Sequence, residues 1–277
     1  MKWRAYLRLM RFSKPSGILL LWIPTAWALW ITNQGPPSLK LLLYFLLGTI
    51  LMRSAGCIMN DIADRRIDIH VKRTCKRPLT TGELGLFEAL LLLGALLLGA
   101  LYIVLQLPVI CFYYACVALL ITFIYPFCKR FIQAPQLVLG LAFSMGIPMA
   151  YAASGVPIDT TMILLFVLNF AWIVAYDTLY AMADREDDLR IGVKSTAVLF
   201  AQNDRLFILS LQVFFHLLWL YLAYRIHVAY LFYVCWVCAI VILYYQQKLI
   251  LQRNAAAYLK GFSMNVGYGL MMWCALA

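Results

Sequence analysis

The chain is a succession of unbroken apolar runs, each about as long as a hydrocarbon core is thick. About 20 helical residues cross a bilayer, and runs near that length fall at 16–32, 39–58, 86–106, 108–126, 135–153, 161–183, 205–224, 228–247 and 258–277. Backbone polar groups find no water in lipid, so a spanning segment is a helix or part of a closed barrel. Barrel strands alternate apolar and polar side chains over about ten residues. These runs are continuous and rich in Leu, Ala, Gly and Trp. The expected fold is therefore all-α: a polytopic membrane protein of nine transmembrane helices, one integral-membrane domain over 1–277. The first run is not read as a cleavable signal, because it holds Pro24 and bulky Trp and Ile, with no small-residue cleavage site before "NQGPPSLK". At 65% hydrophobic and 13% charged, the composition excludes a soluble globular protein, which carries about 25% charged residues.

Lys and Arg set the orientation. With the N-terminus in the cytoplasm, that side receives Lys2, Arg4, Arg8, Arg11 and Lys14, then six basic residues in 65–77. It also receives Lys129, Arg130, Arg185, Arg190, Lys194, Arg205, Lys248, Arg253 and Lys260, so that only Lys40, Arg225 and the intrahelical Arg53 lie elsewhere. The net charge of +11 is thus a topology signal and not a nucleic-acid footprint, with attraction of anionic lipid or an anionic substrate as a secondary role. A bacterial inner membrane, with the charged loops open to the cytoplasm, is the expected location. The eight cysteines are scattered; Cys235 and Cys238 sit inside an apolar run without a partner pair and read as packing residues. His70, His216 and His227 are too dispersed for a metal cluster.

Two stretches break the apolar pattern. "NDIADRRIDIHVKRTCKRPLTTG" at 60–82 and "YDTLYAMADREDDLRIGVKSTAVLF" at 176–200 together hold eight of the twelve acidic residues. On a helix advancing about 100° per residue, Asn60, Asp64, Asp68 and Asp61 share one side, while Arg65 and Arg66 point away. Asp177, Asp184 and Asp188 align likewise, with Asp187 at the edge and Glu186 opposite. Carboxylates at a membrane helix end are costly unless paired or functional. One such pattern is readily a salt-bridged loop; two aligned clusters, each followed by cations, point further. All-oxygen donors suit Mg²⁺, which completes its shell with water and substrate phosphate. Lys72, Arg73, Lys76 and Arg77 follow the first cluster; Lys194, Ser195 and Thr196 follow the second. Lys129 and Arg130 in "YPFCKR" add a third cationic patch on that side. Carboxylates, a metal and cations above an apolar bundle read as a site for an isoprenoid diphosphate.

The pattern N-D-x-x-D-x-x-x-D at 60–68, with D-x-x-x-D at 184–188, resembles the UbiA superfamily of intramembrane prenyltransferases. So do "RLMRFSKPSGILLLWIPTAWALW", "LMRSAGCIMNDIADRRIDIHVKRTCKRPLTTG", "YPFCKR", "AYDTLYAMADREDDLRIGVKSTAVLF" and "YQQKLI", which span residues 8–250. The resemblance implies nine helices around a central cavity that opens laterally to lipid. It implies Mg²⁺ ions held by Asn60, Asp64, Asp177, Asp184 and Asp188, with Asp61 and Asp68 in support. "YAMADREDD" and "KRPLTTG" favour the branch that prenylates 4-hydroxybenzoate with a polyprenyl diphosphate in ubiquinone biosynthesis. Homogentisate, dihydroxynaphthoate or haem is the alternative acceptor.

Chemistry assigns further roles. Asp64, Asp184 and Asp188 are expected to be catalytic through the metal, and Lys72, Arg73, Arg77, Lys129 and Lys194 to bind diphosphate. Tyr180, about one turn from both Asp177 and Asp184 and expected to be catalytic, and Tyr125, expected also to bind the acceptor, can offer ring faces to an allylic cation. Arg53 lies two turns deeper than Asn60 on the same face, and a buried intramembrane arginine is functional by default. It is expected to pair with the acceptor carboxylate or with motif aspartates. A cation-coupled transporter is the competing class, but its carboxylates would be expected at broken helices near the bilayer midplane.

Overall fold

A computed structural model describes residues 2–276, and the described residues form helices and turns without a strand. Helix α1 (Lys2–Leu9) precedes α2 (Ser16–Asn33), α3 (Leu39–Asp64), α4 (Leu86–Val104) and α5 (Val109–Phe131). Then follow α6 (Pro135–Ser144), α7 (Gly146–Ala153) and α8 (Thr160–Met182). Two short helices, α9 (Arg185–Ile191) and α10 (Thr196–Phe200), lead to α11 (Asp204–Ile226), α12 (Tyr230–Ile250) and α13 (Ala255–Leu276).

Eight segments among the described residues are long and apolar enough to cross a membrane, α6 with α7 counting as one and α10 with α11 as another. The ninth expected span coincides with α13, which is not among those eight; its expected end at Ala277 lies outside the described residues. The fifth span is broken at Met145. Pro148 has no N–H for the Ser144 carbonyl and its ring crowds that position, which favours a break there. Ser38 and Asp159 start α3 and α8 by accepting the N–H of Leu41 and Met162, which satisfies donors otherwise orphaned at a helix start.

The core is aromatic. Trp27 of α2 lies 5.1 Å from Trp172 of α8 and 4.9 Å from Trp219 of α11, ring centroid to centroid. Buried indole N–H groups need acceptors; Trp27 donates to the Gly269 carbonyl at 3.1 Å and Trp172 to Asn265 Oδ1 at 2.9 Å, both on α13. Gly269 permits this approach, since a Cβ there would fall 2.8 Å from the Trp172 ring. Helices α2, α8, α11 and α13 thus lock into one dense half. On the other side α3, α4 and α5 splay around a cavity.

Candidate active site

Helix α3 runs six residues past the expected limit of its span, so Asn60, Asp61 and Asp64 sit on its last turns. Asp68 departs from expectation: the helix stops at Asp64 and Asp68 begins a separate 3-10 turn. The loop beyond folds back because Thr74 Oγ1 donates to the Asp68 carbonyl at 3.1 Å and Arg77 bridges Asp61 and Asp68 at 2.9 and 2.6 Å. Arg11, just after α1, reaches Asp61 at 2.6 Å. Lys129 at the end of α5 donates to Asp64 Oδ2 at 2.9 Å and Asn60 Oδ1 at 3.2 Å.

The second cluster is likewise not one continuous helix. Asp177 lies within α8, which ends at Met182, and Asp184 stands at the N-cap position of the separate helix α9 that carries Asp188. Thr178 and Thr196 share a hydrogen bond of 2.7 Å, and the Thr196 N–H donates to Gln136 Oε1 at 2.9 Å. These contacts pin the segment after α9 against α8 and α6. Two contacts then join the clusters. Arg73 Nε donates to Asp184 Oδ1 at 2.8 Å while its terminal nitrogens reach Asp184 and the Tyr180 hydroxyl. The Lys72 backbone N–H donates to Asp187 Oδ2 at 3.0 Å.

Both clusters consequently line one cavity of about 240 Å³, with Asn60, Asp61, Asp64 and Asp68 on one wall and Asp177, Asp184 and Asp188 on the other. Arg53, Arg73, Arg77, Lys129, Lys194, Tyr125 and Tyr180 complete the expected set. Lys72 does not join them. Its side chain is exposed and its contribution is the backbone bond, because the turn at 71–74 aims Arg73 inward instead. Lys76 is exposed, Arg130 is spent on the Ala63 carbonyl at 3.1 Å, and Glu186 faces outward as expected.

Cations counter only part of the acidic charge. Among the described residues Asp177 and Asp188 have no ion pair, and Asp64 Oδ1 is buried without a partner. Burial, then the neighbouring Asp184 charge, pushes the Asp188 carboxyl up to about 7. No three acidic, His or Cys side chains among the described residues form a ready-made metal nest. Unpaired hard oxygens on facing walls nevertheless fit Mg²⁺, which takes one or two carboxylates and draws its other ligands from phosphate and water.

A second cavity, about 520 Å³ and almost wholly apolar, lies among α3, α4, α5 and α7. Leu97, Leu101, Phe112 and Leu119 are among its walls, and it shares Arg53, Gly56, Thr122 and Phe143 with the polar cavity. Arg53 thus stands at the junction. Its guanidinium lies 5.5 Å from the Phe143 ring, its Nε is buried without a partner, and it pairs with no aspartate among the described residues. The expected direct pairing with a motif aspartate is thus not formed in this structure. The guanidinium lies against Gly17, where a Cβ would come within 2.6 Å of it.

Sequence reasoning missed Arg11, Lys14, Gln136, Tyr176 and Phe262 in the polar cavity. For Arg11 and Lys14 a signal existed in "RFSKPSG", two cations beside the start of a span, but the same residues serve topology equally well. Gln136, Tyr176 and Phe262 carried none.

The UbiA prenyltransferase family profile matches residues 21–269. A 4-hydroxybenzoate octaprenyltransferase of Legionella pneumophila (strain Lens) is 59% identical over 274 residues, 99% of this chain and 97% of that protein. One from Serratia proteamaculans (strain 568) is 45% identical over 276 residues, 100% and 95% of the two chains. Among solved structures, the apo UbiA homolog from Aeropyrum pernix K1 superposes with a TM-score of 0.81 at 21% identity, covering 93% of this chain and 96% of that one. A UbiA homolog from Archaeoglobus fulgidus bound to GPP and Mg²⁺ gives 0.71 at 20% identity, covering 97% and 99%.

Proposed function

The chain belongs to the UbiA prenyltransferase family, and from that premise we propose that it transfers a polyprenyl group from polyprenyl diphosphate to 4-hydroxybenzoate. The new bond forms at the ring carbon ortho to the hydroxyl, and diphosphate leaves. The names of the Legionella and Serratia relatives support the acceptor and the class of donor. The whole chain acts as one integral-membrane domain, its charged end on the cytoplasmic side as the Lys and Arg distribution directs.

The observation that carries the reading is the junction at Arg53, where a polar cavity of carboxylates and cations meets an apolar chamber. Arg73, Arg77, Lys129 and Lys194, with Arg11 and Lys14, receive the diphosphate. Asn60, Asp64, Asp177, Asp184 and Asp188 hold Mg²⁺, while Asp61 and Asp68, already gripped by Arg77, shape the wall. The Archaeoglobus homolog bound to GPP and Mg²⁺ supports the metal. When bound, Mg²⁺ would offset charge on the diphosphate and make it a better leaving group.

As the allylic C–O bond opens, Arg73 and Lys129 take up charge on the departing oxygens. Tyr180 and Tyr125 turn ring faces to cations at 4.5 and 5.5 Å, and such faces stabilise positive charge by about 0.5–2 kcal/mol. The prenyl tail occupies the apolar chamber, whose leucine and phenylalanine walls keep water from the allylic centre. Arg53 pairs with the acceptor carboxylate. The ortho carbon then bonds the allylic carbon and gives up its proton, to a motif aspartate or to the released diphosphate, restoring aromaticity.

Membranes supplied with Mg²⁺, labelled 4-hydroxybenzoate and a series of prenyl diphosphates test the scheme. Product should form with Mg²⁺ and vanish with EDTA, Asp64→Ala or Asp184→Ala. Product undiminished by chelation or by both substitutions contradicts it.

A further inference from the structure

Asp184 and Asp188 ride on α9, only seven residues long. So short a helix holds its orientation poorly by its own hydrogen bonds and depends on tertiary contacts. Arg185, between the two aspartates, is absent from the cavity wall and turns the other way to pair with Asp204, the first residue of α11. Asp204 is fully buried, with none of its surface exposed. Its carboxylate also accepts from Arg253 Nη1 at 3.1 and 3.2 Å and from the Arg205 N–H.

That carboxylate sits on a braced platform. Arg205 Nε donates to Gln247 at 3.2 Å and Gln247 to Gln212 at 2.8 Å. Gln212 donates to Gln246 at 2.7 Å, and Gln246 to the Gly261 carbonyl at 3.2 Å. Buried ionic clusters rarely stabilise a fold more than apolar packing would, and no step of the transfer uses this one. Its geometry serves α9.

We propose that Asp204 is a positioning residue: through Arg185 it fixes the tilt of α9 and so aims the carboxylates of Asp184 and Asp188 at the divalent cation. This rests on the metal reading above and adds to it an orienting group outside the cavity. Groups that orient metal ligands are typically worth 10–100-fold in metal affinity.

Arg185→Gln separates positioning from charge, because the two act in opposite directions. Deleting a cation beside Asp184 and Asp188 tightens divalent binding by Coulomb attraction alone, whereas freeing α9 from Asp204 weakens it. Mn²⁺ binding to purified protein in detergent with a prenyl diphosphate, read by electron paramagnetic resonance, measures the outcome. Arg185→Gln should raise the Mn²⁺ Kd about tenfold or more and raise the Mg²⁺ requirement for transfer in parallel, leaving KM for the acceptor unchanged. Arg253→Gln keeps the Arg185–Asp204 pair and should shift neither quantity. Unchanged or tighter Mn²⁺ binding by Arg185→Gln overturns the proposal, as does an equal loss in Arg253→Gln. Should Arg185→Gln fail to fold, Asp204→Glu keeps the charge and lengthens the arm; weaker Mn²⁺ binding supports positioning and unchanged binding refutes it. Wild-type protein that binds no Mn²⁺ under these conditions instead brings down the metal reading beneath it.

Discussion

Replacing Arg53 with alanine removes the one cation among the described residues that borders both cavities. Among the described residues this guanidinium forms no ion pair with a carboxylate; it lies over the Phe143 ring and against Gly17. Loss of the cation–π contact weakens folding by about 0.5–1 kcal/mol, and no ion pair between described residues is broken. The main loss falls on a bound anion. Hydrogen bonds to a charged partner contribute about 1.5–3 kcal/mol, and each 1.4 kcal/mol is about tenfold in affinity. The acceptor KM should therefore rise roughly ten- to hundredfold, while KM for the prenyl diphosphate stays near its wild-type value. Initial rates in membranes, varying labelled 4-hydroxybenzoate at saturating donor and then the reverse, measure both. Gly17→Ala should move the acceptor KM in the same direction by less, since the guanidinium tip can shift away from the new Cβ. An unchanged acceptor KM in Arg53→Ala, or an equal rise in both constants, would refute the assignment.

Asp61→Asn leaves two largely buried arginines, Arg11 and Arg77, without their shared counter-ion. Breaking such a cluster costs about 3–5 kcal/mol, so thermal stability in detergent should fall sharply, and more than Mn²⁺ affinity does. Asp188 binds a proton in the folded metal-free protein up to about pH 7, well above an ordinary aspartate. The folded state therefore holds more protons than the unfolded one between about pH 4 and 7, and stability conferred at low pH declines as pH rises through that window. Adding Mg²⁺ near pH 7 should release protons, detectable in weak buffer, and restore the lost stability; no proton release would contradict the ligand role of Asp188. Lys72→Ala should leave donor KM unchanged, because only its backbone is engaged, whereas Arg73→Ala should raise it at least tenfold; the opposite order would show that the loop turns Lys72 inward on binding.

Much of the site was readable because its signals are local. The runs of 60–68 and 184–188 concentrate acid in an apolar chain, where each charge is costly enough to demand a reason. A helical wheel brought Asn60, Asp61 and Asp64 to one face, and α3 keeps them there. The same wheel failed for Asp68 and for the Asp177–Asp184 relation, because helices end there and a fixed angular period assumes they continue. Lys72 and Arg73 are adjacent and chemically similar, so nothing local says which faces inward.

From residue order alone came the membrane location, the helical class, the approximate limits of most spans and the two acidic segments, since hydrophobic run length and charge cost act within 20 or so neighbouring residues. Tertiary structure alone decided which charges meet. Arg73 finds Asp184 across 111 positions and Lys129 finds Asp64 across 65, contacts that exist only once the helix ends converge. The same closure leaves Arg53 between two cavities with no ion pair among the described residues, and sends Arg185 away from its neighbours to Asp204. Where a side chain's partner lies far along the chain, its direction is set by packing, and packing leaves no imprint in the sequence beside it.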